Sequence, residues 1–433
     1  MRGITRVVVG MALALWVLGT PAWAEDARDK EITEIKARLE RLERERQAEQ
    51  GAANGAQQGT KEEAKDKPEG GPLSCLKVCG GITGTAQGTV GNSPGDHSGA
   101  NFRADLLLSA SPTCADQIGL HFLMSRGSGV NNAPGSRPGA GRFEDTFLGN
   151  PNANIQYNSD IPHLVEAWYQ HCFADGRLVA TLGILDPTVY FDTNRFANDE
   201  TLQFMGTVFV NNPGIDWGGD ANFYGPGVRL TASPAEWLDL SLGGFATQSV
   251  PTDNDEVVGF ENEFDKPFGI LEANFKVKPW GREGNWRLYA WYNANKTAFT
   301  RFDNGEEEAS WGGGGSFDQD ITENLGAFLR WSKQDESIRR LDWHVSGGLS
   351  AKGLVPGRAC DVAGIGYAIG MTSSEFEGSD DCLGSGTEHW IEAYYSMKLG
   401  ESFTLSPDVQ YIINPCGERD DIFVWGLRAL AVF

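Results

Sequence analysis

The sequence predicts an all-β fold, a sixteen-stranded antiparallel transmembrane β-barrel with an inward-folded third loop, preceded by a short N-terminal coiled-coil helix. Three observations lead to this prediction. The chain begins with the pattern of an export signal. Most of the chain consists of short segments in which apolar and polar residues alternate. The connections between these segments alternate between short turns and long polar loops, which is typical of outer-membrane barrels.

Residues 1–24 have the pattern of a signal peptide. Arg2 and Arg6 give a basic start, residues 7–18 are largely apolar, and residues 22–24 (Ala-Trp-Ala) match an A-x-A cleavage site. No later stretch approaches 18 uninterrupted apolar residues, so the sequence predicts no helix that spans a membrane. A membrane location would therefore require a barrel.

Residues 25–50 are predicted to form a periplasmic coiled-coil segment. Apolar residues recur there with a 3-4-3 spacing among charged residues, at Ile32, Ile35, Leu39 and Leu42. Isoleucine at both seam positions favours a trimer, although two heptads are marginal alone, and a solvated single helix is the alternative. Residues 51–79 are predicted to be a flexible linker, and residues 80–433 the barrel domain.

Charge and cysteine content exclude some classes of function. The formal net charge of −23 lacks the basic footprint that a nucleic-acid partner requires. Seven cysteines in an exported chain predict disulfides, and the pairs Cys382–Cys416, Cys114–Cys172 and Cys75–Cys79 could form, leaving Cys360 free, although connectivity cannot be read from sequence. Cys75 and Cys79 have the spacing of half a metal site, but no second pair follows, so we expect no metal and no cofactor.

Sixteen segments show the period-two alternation of strands. In residues 286–292, for example, Trp, Leu, Ala and Tyr alternate with Arg, Tyr and Trp. The segments lie near 81–90, 101–110, 117–125, 164–173, 177–186, 225–233, 237–247, 268–277, 285–295, 309–318, 323–332, 342–351, 362–372, 387–398, 402–413 and 421–433.

The final segment has an apolar face that ends on an aromatic residue. That face consists of Trp425, Leu427, Ala429, Ala431 and Phe433. Bacterial outer-membrane barrels finish on such a strand because the last strand must pair with the first and leave no edge in lipid.

The connections are sorted by length. Short turns occur at 174–176, 233–236 and 398–401, and long polar loops occur at 126–163, 187–224, 248–267 and 373–386. Outer-membrane barrels have short periplasmic turns and long external loops, whereas a β-sandwich has no reason to sort its connections in this way. The pattern therefore favours the barrel over a soluble sandwich.

If the apolar face meets lipid, the opposite face lines the lumen with charges of both signs. Such charges can neutralise one another and rigidify the wall, or they can present hydrogen-bond donors and acceptors to a hydroxylated solute. The predicted lumen wall comprises Arg103, Asp105, Glu166, Arg177, Arg229, Asp239, Arg287, Arg330, Asp342, Glu388, Glu392 and Arg428.

The connection at 187–224 is too long for a simple turn and too apolar in places to lie in solvent. We expect it to fold back against the barrel wall and form a constriction, because the bare lumen of a sixteen-stranded barrel is wide. The side chains expected to be buried are Phe196, Leu202, Phe204, Met205, Val208 and Phe209. Those expected to face the remaining aqueous gap and bind solute are Asp192, Asn194, Arg195, Asn198, Asp199, Glu200, Gln203, Asn211, Asn212, Asp216 and Trp217.

Several motifs within residues 80–433 form a specific combination. They are G-x-L-D-P at 183–187, Y-F-D-T-N at 190–194, A-N-D-E-x-x-Q-F at 197–204, N-N-P at 211–213, Y-G-P-G-V at 224–228, Pro-x-x-Trp at 234–237, S-P-D-V-Q-Y-I-I-N-P at 406–415 and G-L-R at 426–428. In this combination the chain resembles the carbohydrate-selective porin family of Gram-negative outer membranes. The resemblance implies a sixteen-stranded barrel with one pore per monomer, often trimeric, that passes sugars by diffusion.

The expected function is thus an outer-membrane porin for weakly selective diffusion of small hydrophilic solutes, above all mono- and oligosaccharides. Sugars bind planar polar side chains and aromatic faces, and the aromatic candidates are Trp217, Trp237, Trp291 and Trp390, although tryptophan also belts the membrane interface. Membrane lipid, lipopolysaccharide and two further copies in a homotrimer are the other expected partners.

Two alternatives stay open, because the N-terminal coiled coil and the extra cysteines depart from the family pattern. One is a barrel for iron, siderophore or other small-solute uptake, and the other is a structural barrel that tethers the envelope. We expect no enzyme. His344 and Ser346 lie two residues apart on one face, but that face points into the lumen, away from lipid substrate, and no further catalytic triad is evident.

Overall fold

The computed structural model describes residues 76–91, 96–131, 146–156, 161–219, 223–248, 262–296, 301–377, 386–417 and 419–433. The predicted signal peptide, the coiled coil and nearly all of the linker lie outside these residues, as do Cys75 and Cys382. Among the described residues no helix is long and apolar enough to cross a membrane.

Sixteen antiparallel strands close into a single barrel in sequence order. The strands are β1 (Leu76–Val90), β2 (Ser98–Ala110), β3 (Asp116–Arg126), β4 (His163–Phe173), β5 (Leu178–Leu185), β6 (Gly225–Ala235), β7 (Leu238–Gln248), β8 (Asn262–Val277), β9 (Gly284–Asn293), β10 (Ser310–Asp320), β11 (Leu325–Gln334), β12 (Leu341–Lys352), β13 (Val362–Thr372), β14 (Thr387–Lys398), β15 (Phe403–Ile413) and β16 (Ile422–Val432). β1 pairs with β16 over the register from Gly81 opposite Val432 to Val90 opposite Phe423. The predicted sixteen-stranded closed barrel is therefore confirmed.

The alternation read from the sequence becomes two faces of the barrel. On β16 the side chains of Trp425 and Leu427 are exposed, whereas those of Val424 and Arg428 are buried. β9 follows the same rule, with Trp286 exposed and its neighbours in the strand alternating. An apolar outer band and a polar inner face are what a barrel in lipid requires.

The barrel begins four residues earlier than predicted. Residues 76–79, assigned to the linker, belong to β1, where Leu76 pairs with Ala110 and Val78 with Leu108 of β2. β2 extends to Ala110 and so provides backbone partners on the N-terminal side of Gly80 and Gly81.

The connections on one edge of the barrel are short, and several on the other edge are long. Two of the long ones matter for function, and we call them the second loop (127–162, between β3 and β4) and the third loop (186–224, between β5 and β6). The third loop contains a 3-10 turn at Pro187–Val189 and a short helix, α1, at Thr207–Val210. Elsewhere there are the helix α2 (Ser374–Glu377) and 3-10 turns at Pro279–Gly281 and Pro415–Gly417.

The cysteines that the structure describes do not form the predicted pair. Cys114 and Cys172 are both free, as are Cys79 and Cys360. Cys172 lies at the end of the β3–β4 hairpin, where its backbone N–H donates to the carbonyl of Ala115 at 2.9 Å. Cys114 and Cys172 therefore lie at the same end of the β3–β4 pair, as predicted, but both remain thiols.

Candidate functional site

The third loop starts from a short strand and turns sharply. β5 ends at Leu185, and the carboxylate of Asp186 then caps the 3-10 turn by accepting from the backbone N–H of Thr188 at 2.8 Å. Asp192 has a φ of 56°, in the left-handed region where aspartate is tolerated better than most residues. This bend directs the rest of the loop toward inward-facing side chains of β8 to β16.

Two glutamates of the wall hold the loop by its backbone. Glu272 on β8 accepts from the N–H of Asp192 at 2.8 Å. Glu392 on β14 accepts from the N–H groups of Met205 at 2.5 Å and Gly206 at 3.0 Å. A buried N–H group left without an acceptor costs about 1–3 kcal/mol, so these two carboxyl groups fix the loop at two points.

A buried arginine holds the loop from a third strand. Arg330 on β11 donates to the carbonyls of Phe209 at 2.5 Å and Asp192 at 2.9 Å, and its Nε lies 3.2 Å from the Asp192 carboxylate. That carboxylate also accepts from the hydroxyl of Tyr289 at 3.0 Å and the N–H of Asn212 at 3.0 Å. Burial raises the pKa of Asp192, although the Arg330 guanidinium opposes the shift.

The apolar side chains of the third loop are buried against the same side of the barrel. Phe204 and Phe209 lie with ring centroids 4.8 Å apart, and Phe204 packs edge-on against Tyr394 of β14 at 4.9 Å and Phe328 of β11 at 5.5 Å. Phe209 also covers Gly366, where a Cβ would lie 2.7 Å from its ring. Phe204, Met205, Val208 and Phe209 are fully buried as predicted, whereas Leu202 is 39% exposed.

The second loop joins this packing, which was not predicted from the sequence. Thr207 of the third loop donates its N–H to the carbonyl of Asn150 at 2.9 Å, and Ala153 donates to Met205 at 2.8 Å. Glu388 on β14 accepts from the N–H of Phe147 at 2.9 Å. The signal that could have revealed this segment is the asparagine-rich run at 150–155.

On the β2–β6 side of the lumen the charged side chains bond one another in a row. We call this row the charged ladder; its members are Glu200, Arg103, Asp105, His121 and Glu166. Arg103 of β2 pairs with Glu200 of the third loop and with Asp105 at 2.9 Å. The two ring nitrogens of His121 lie 2.9 Å from Asp105 and 3.1 Å from Glu166.

The third loop presents an exposed edge near this ladder. Val189 is 51% exposed and Leu202 is 39% exposed, although both belong to a loop whose other large apolar side chains are mostly buried. Partly exposed Asp186 lies beside this edge, and its backbone N–H faces Glu166 at 3.4 Å. Burial, with the neighbouring Glu166 carboxylate, raises the pKa of Asp186 to about 7.

Most of the predicted constriction residues bond to the wall or to the loop itself. Four of these side chains are almost fully buried: Asp192 is 2% exposed, Asn194 5%, Asn212 1% and Asp216 6%. The prediction that they face an aqueous gap is therefore wrong. The reason is that the loop satisfies its polar groups against the wall; Asn212, for example, donates to the hydroxyl of Tyr289 at 2.7 Å.

The other predicted constriction residues are less deeply buried. Arg195 is exposed but bonds Asp318 at 2.5 Å and Asp320 at 3.0 Å, near the β10–β11 turn. Gln203 bonds the backbone of Asn198 and Asp199 and so stabilises the loop internally. Glu200 is the predicted constriction residue that joins the charged ladder. Asn211 is partly buried.

Several predicted wall residues lie elsewhere. Arg177 is exposed in the β4–β5 turn. Asp342 follows the register irregularity at the start of β12 and pairs with Lys333 at 2.7 Å, next to the exposed ring of Trp343. Asp239 lies near a strand end and pairs with Lys276 at 2.8 Å. In contrast, Arg287 and Arg428 are buried on the inner face, where Arg287 pairs with Asp318 at 2.8 Å and Arg428 donates to the carbonyl of Glu200 at 2.7 Å.

None of the four tryptophans proposed from sequence presents an open ring to the lumen. Trp217, Trp291 and Trp390 are 9%, 3% and 0% exposed, and Trp237 is 57% exposed in the β6–β7 turn, where it stacks on Phe275. The predicted lumen position of His344 and Ser346 agrees with their burial, and His344 Nδ1 lies 3.2 Å from Asn212 Oδ1, so it serves loop packing.

A closed sixteen-stranded barrel with an apolar outer band and a charged inner face defines the class of porin-type channel proteins. The carbohydrate-selective porin family, the OprB family, matches residues 116–433. The chain belongs to this family. The family and the barrel fold are those of outer-membrane channel proteins, and they support a sugar porin function.

Solved structures agree on the fold. The high-pH structure of Pseudomonas putida OprB is 20% identical to this chain, with a TM-score of 0.69 over 83% of this chain and 94% of that one. The low-pH structure of the same protein is 14% identical, with a TM-score of 0.51 over 83% and 92%. An uncharacterized protein of Aquifex aeolicus (strain VF5) is 64% identical over 61 residues, which are 14% of this chain and 18% of that relative's length.

Proposed function

We propose that this protein is an outer-membrane porin for passive, weakly selective diffusion of small hydrophilic solutes, with mono- and oligosaccharides as the principal class. The membership of residues 116–433 in the carbohydrate-selective porin family is the observation that carries the proposal. The charged ladder supplies the hydrogen-bond donors and acceptors that hydroxylated solutes need.

The constriction is the gap between the charged ladder and the exposed edge of the third loop. The third loop is anchored by Glu272, Arg330 and Glu392, and the second loop packs on it at Asn150 and Ala153. These anchors lie on β8, β11 and β14, and the second loop also bonds Asn101 of β2 and Ser125 of β3. The two loops therefore narrow the wide lumen and leave a path beside the charged ladder, which sets its polarity.

Transport by such a channel requires weak binding. A solute must bind well enough to enter and loosely enough to leave, so a site of charged side chains already paired with one another suits neutral sugars. Arg103 is paired with two carboxylates, and a sugar hydroxyl would compete with these rather than replace a whole hydration shell. We therefore expect saturation only at high sugar concentration.

The N-terminal part and the assembly complete the proposal. Residues 1–24 would be removed as a signal peptide, and residues 25–50 would form a periplasmic coiled coil that favours a homotrimer. The exposed apolar band, which includes Leu242, Leu271 and Ile365, would contact membrane lipid and lipopolysaccharide.

The test is planar-bilayer conductance of the purified protein, titrated with sugars and then with ferric chelates. The expected result is an ohmic channel whose current is reduced by sugar and not by a ferric chelate, together with sugar-driven swelling of liposomes. Block by a ferric chelate alone would favour iron uptake, and no channel at all would favour the tether. Deleting residues 25–71 is the matched control, because a porin keeps its conductance without them.

A further inference from the structure

Arg229 stands apart from the other arginines on the inner face. Arg103, Arg287 and Arg330 each bond carboxylates or backbone carbonyls. Arg229 on β6 makes no hydrogen bond or ion pair with any residue that the structure describes, and its Nε is buried without a partner. Its guanidinium lies over the ring of Tyr190, 4.8 Å from the ring centroid.

Tyr190 holds this guanidinium at the exposed edge of the third loop. It follows Val189, which is 51% exposed, and is itself partly exposed. A cation over an aromatic face is attracted by the ring quadrupole, which keeps the guanidinium oriented without using its N–H donors. Arg229 therefore offers oriented, unused donors on the inner face beside the third loop.

Trp168 on β4 is a second aromatic side chain on this side, and the sequence analysis did not select it. It lies on the same face of β4 as Glu166 and Gln170, both of which bond inner-face groups. Its ring lies over Gly119 of β3, where a Cβ would come within 2.3 Å of it. Trp168 packs against the apolar cluster that contains Leu185 and Phe191 but is still partly exposed.

The wall between Trp168 and Arg229 is made of small residues. β5 separates β4 from β6, and there Gly183 pairs with Trp168 while Thr181 pairs with Arg229. Because each strand spacing is about 4.8 Å, the backbones of β4 and β6 lie about 10 Å apart. Gly183 and Thr181, which have little or no side chain, are the residues of β5 that lie between Trp168 and Arg229.

We propose that Trp168, Tyr190 and Arg229 form a sugar-binding subsite, with Trp168 against the C–H face of a pyranose and the Arg229 N–H groups donating to its hydroxyls. This inference rests on the proposed function and names residues for it. The solute is an uncharged sugar rather than an anion, because Glu272 and Asp239 lie close enough to act on the Arg229 charge and Glu166 lies beside Tyr190. A free anion would meet these carboxylates as well as the guanidinium.

The experiment compares current block by D-glucose and by gluconate in the full-length protein and in Trp168→Ala and Arg229→Lys. Loss of the aromatic face or of the forked donor should raise the half-blocking glucose concentration about tenfold, the effect of about 1.4 kcal/mol in binding free energy. Trp286→Ala, which removes an outward-facing tryptophan of β9, is the matched control and should leave the block unchanged.

Three outcomes would overturn the subsite. They are unchanged glucose block in both variants, gluconate block stronger than glucose block in the unaltered protein, and unsaturable glucose flux. In the last case liposome swelling would still support the proposed porin function, whereas absence of sugar flux would refute that function itself. Gly119→Ala offers a second route if Trp168→Ala fails to fold, because it displaces the ring without removing it and should also weaken block.

Discussion

The two sides of the lumen carry the same kinds of charged side chain and use them differently. On the β8–β16 side, Glu272, Glu388 and Glu392 accept from backbone N–H groups of the two loops. On the β2–β6 side, Asp105 bonds the side chains of Arg103 and His121, and Glu166 bonds His121 and, at 3.4 Å, the backbone N–H of Asp186. We call these the packed side and the open side.

The difference shows that a charge on the inner face is not by itself evidence of solute binding. A carboxylate that accepts backbone N–H groups is buried and cannot exchange its partners without releasing a loop. A carboxylate paired with an arginine side chain near an exposed edge can exchange partners locally. Variants on the packed side should therefore change the shape of the channel, and variants on the open side should change its selectivity.

The largest effect is expected from Glu392→Ala on the packed side. It leaves the buried N–H groups of Met205 and Gly206 without their acceptor, a loss on the order of 3 kcal/mol. The third loop should detach near α1, so we expect single-channel conductance to rise severalfold, with frequent transitions between levels. Planar-bilayer recording measures both quantities.

Glu401→Gln is the control for this prediction, because Glu401 lies exposed in the β14–β15 turn. It removes a carboxylate charge without touching a loop. Steady conductance at the unaltered level in Glu392→Ala would show that Arg330 and the aromatic contacts hold the loop alone, and the anchoring role of Glu392 would be wrong.

The strands, the buried apolar residues and the inner-face position of Arg103, Asp105 and Glu166 could be predicted from the sequence, whereas the partners of the polar side chains could not. Strand alternation depends on neighbouring residues, so the strands and the burial of Phe204 and Phe209 follow from local pattern. The partner of a polar side chain depends on register between distant strands, which no local pattern contains. Trp168 was missed for this reason: its role depends on Gly119, which lies opposite it on β3.

A smaller effect is expected from Glu200→Gln on the open side. The change removes the ion pair with Arg103 but keeps the backbone carbonyl that Arg428 bonds, so the loop should stay in place. The positive charge of Arg103 would then be less neutralised, so the electrostatic potential in the gap would become more positive. The cation-to-anion permeability ratio should therefore fall by about twofold at low salt. The reversal potential across a salt gradient measures this ratio.

The same substitution at Asp199 is the comparison for Glu200→Gln. Asp199→Asn leaves the charged ladder intact, because the Asp199 carboxylate accepts from Thr201 within the loop. An equal shift of reversal potential in both variants would mean that total loop charge, rather than the Arg103 pair, sets selectivity, and the distinction of the open side would lose its support.

The smallest effect is a pH dependence centred on Asp186, which lies outside the strands. Its pKa is raised from 3.8 to about 7, first by burial and then by the Glu166 carboxylate. The folded protein thus holds this proton more tightly than the unfolded chain, so the contribution of Asp186 to stability falls as pH rises from about 4 to 7 and is constant above that. Because Asp186 loses its proton between pH 6 and pH 8, a negative charge appears beside the charged ladder. The cation-to-anion permeability ratio should therefore increase slightly over this range.

Asp186→Asn should abolish this step in the reversal potential while leaving the cap of the 3-10 turn able to accept from Thr188. Glu166, Glu200, Tyr190 and Tyr224 are the other ionisable groups whose charges interact with Asp186. If the step persists in Asp186→Asn, its source is another group, and the assignment of the step to Asp186 would be wrong. If the step is also present in Glu392→Ala at unchanged size, the titrating group acts independently of how the loop is held, so the two sides of the lumen would be electrically separate as well as structurally distinct.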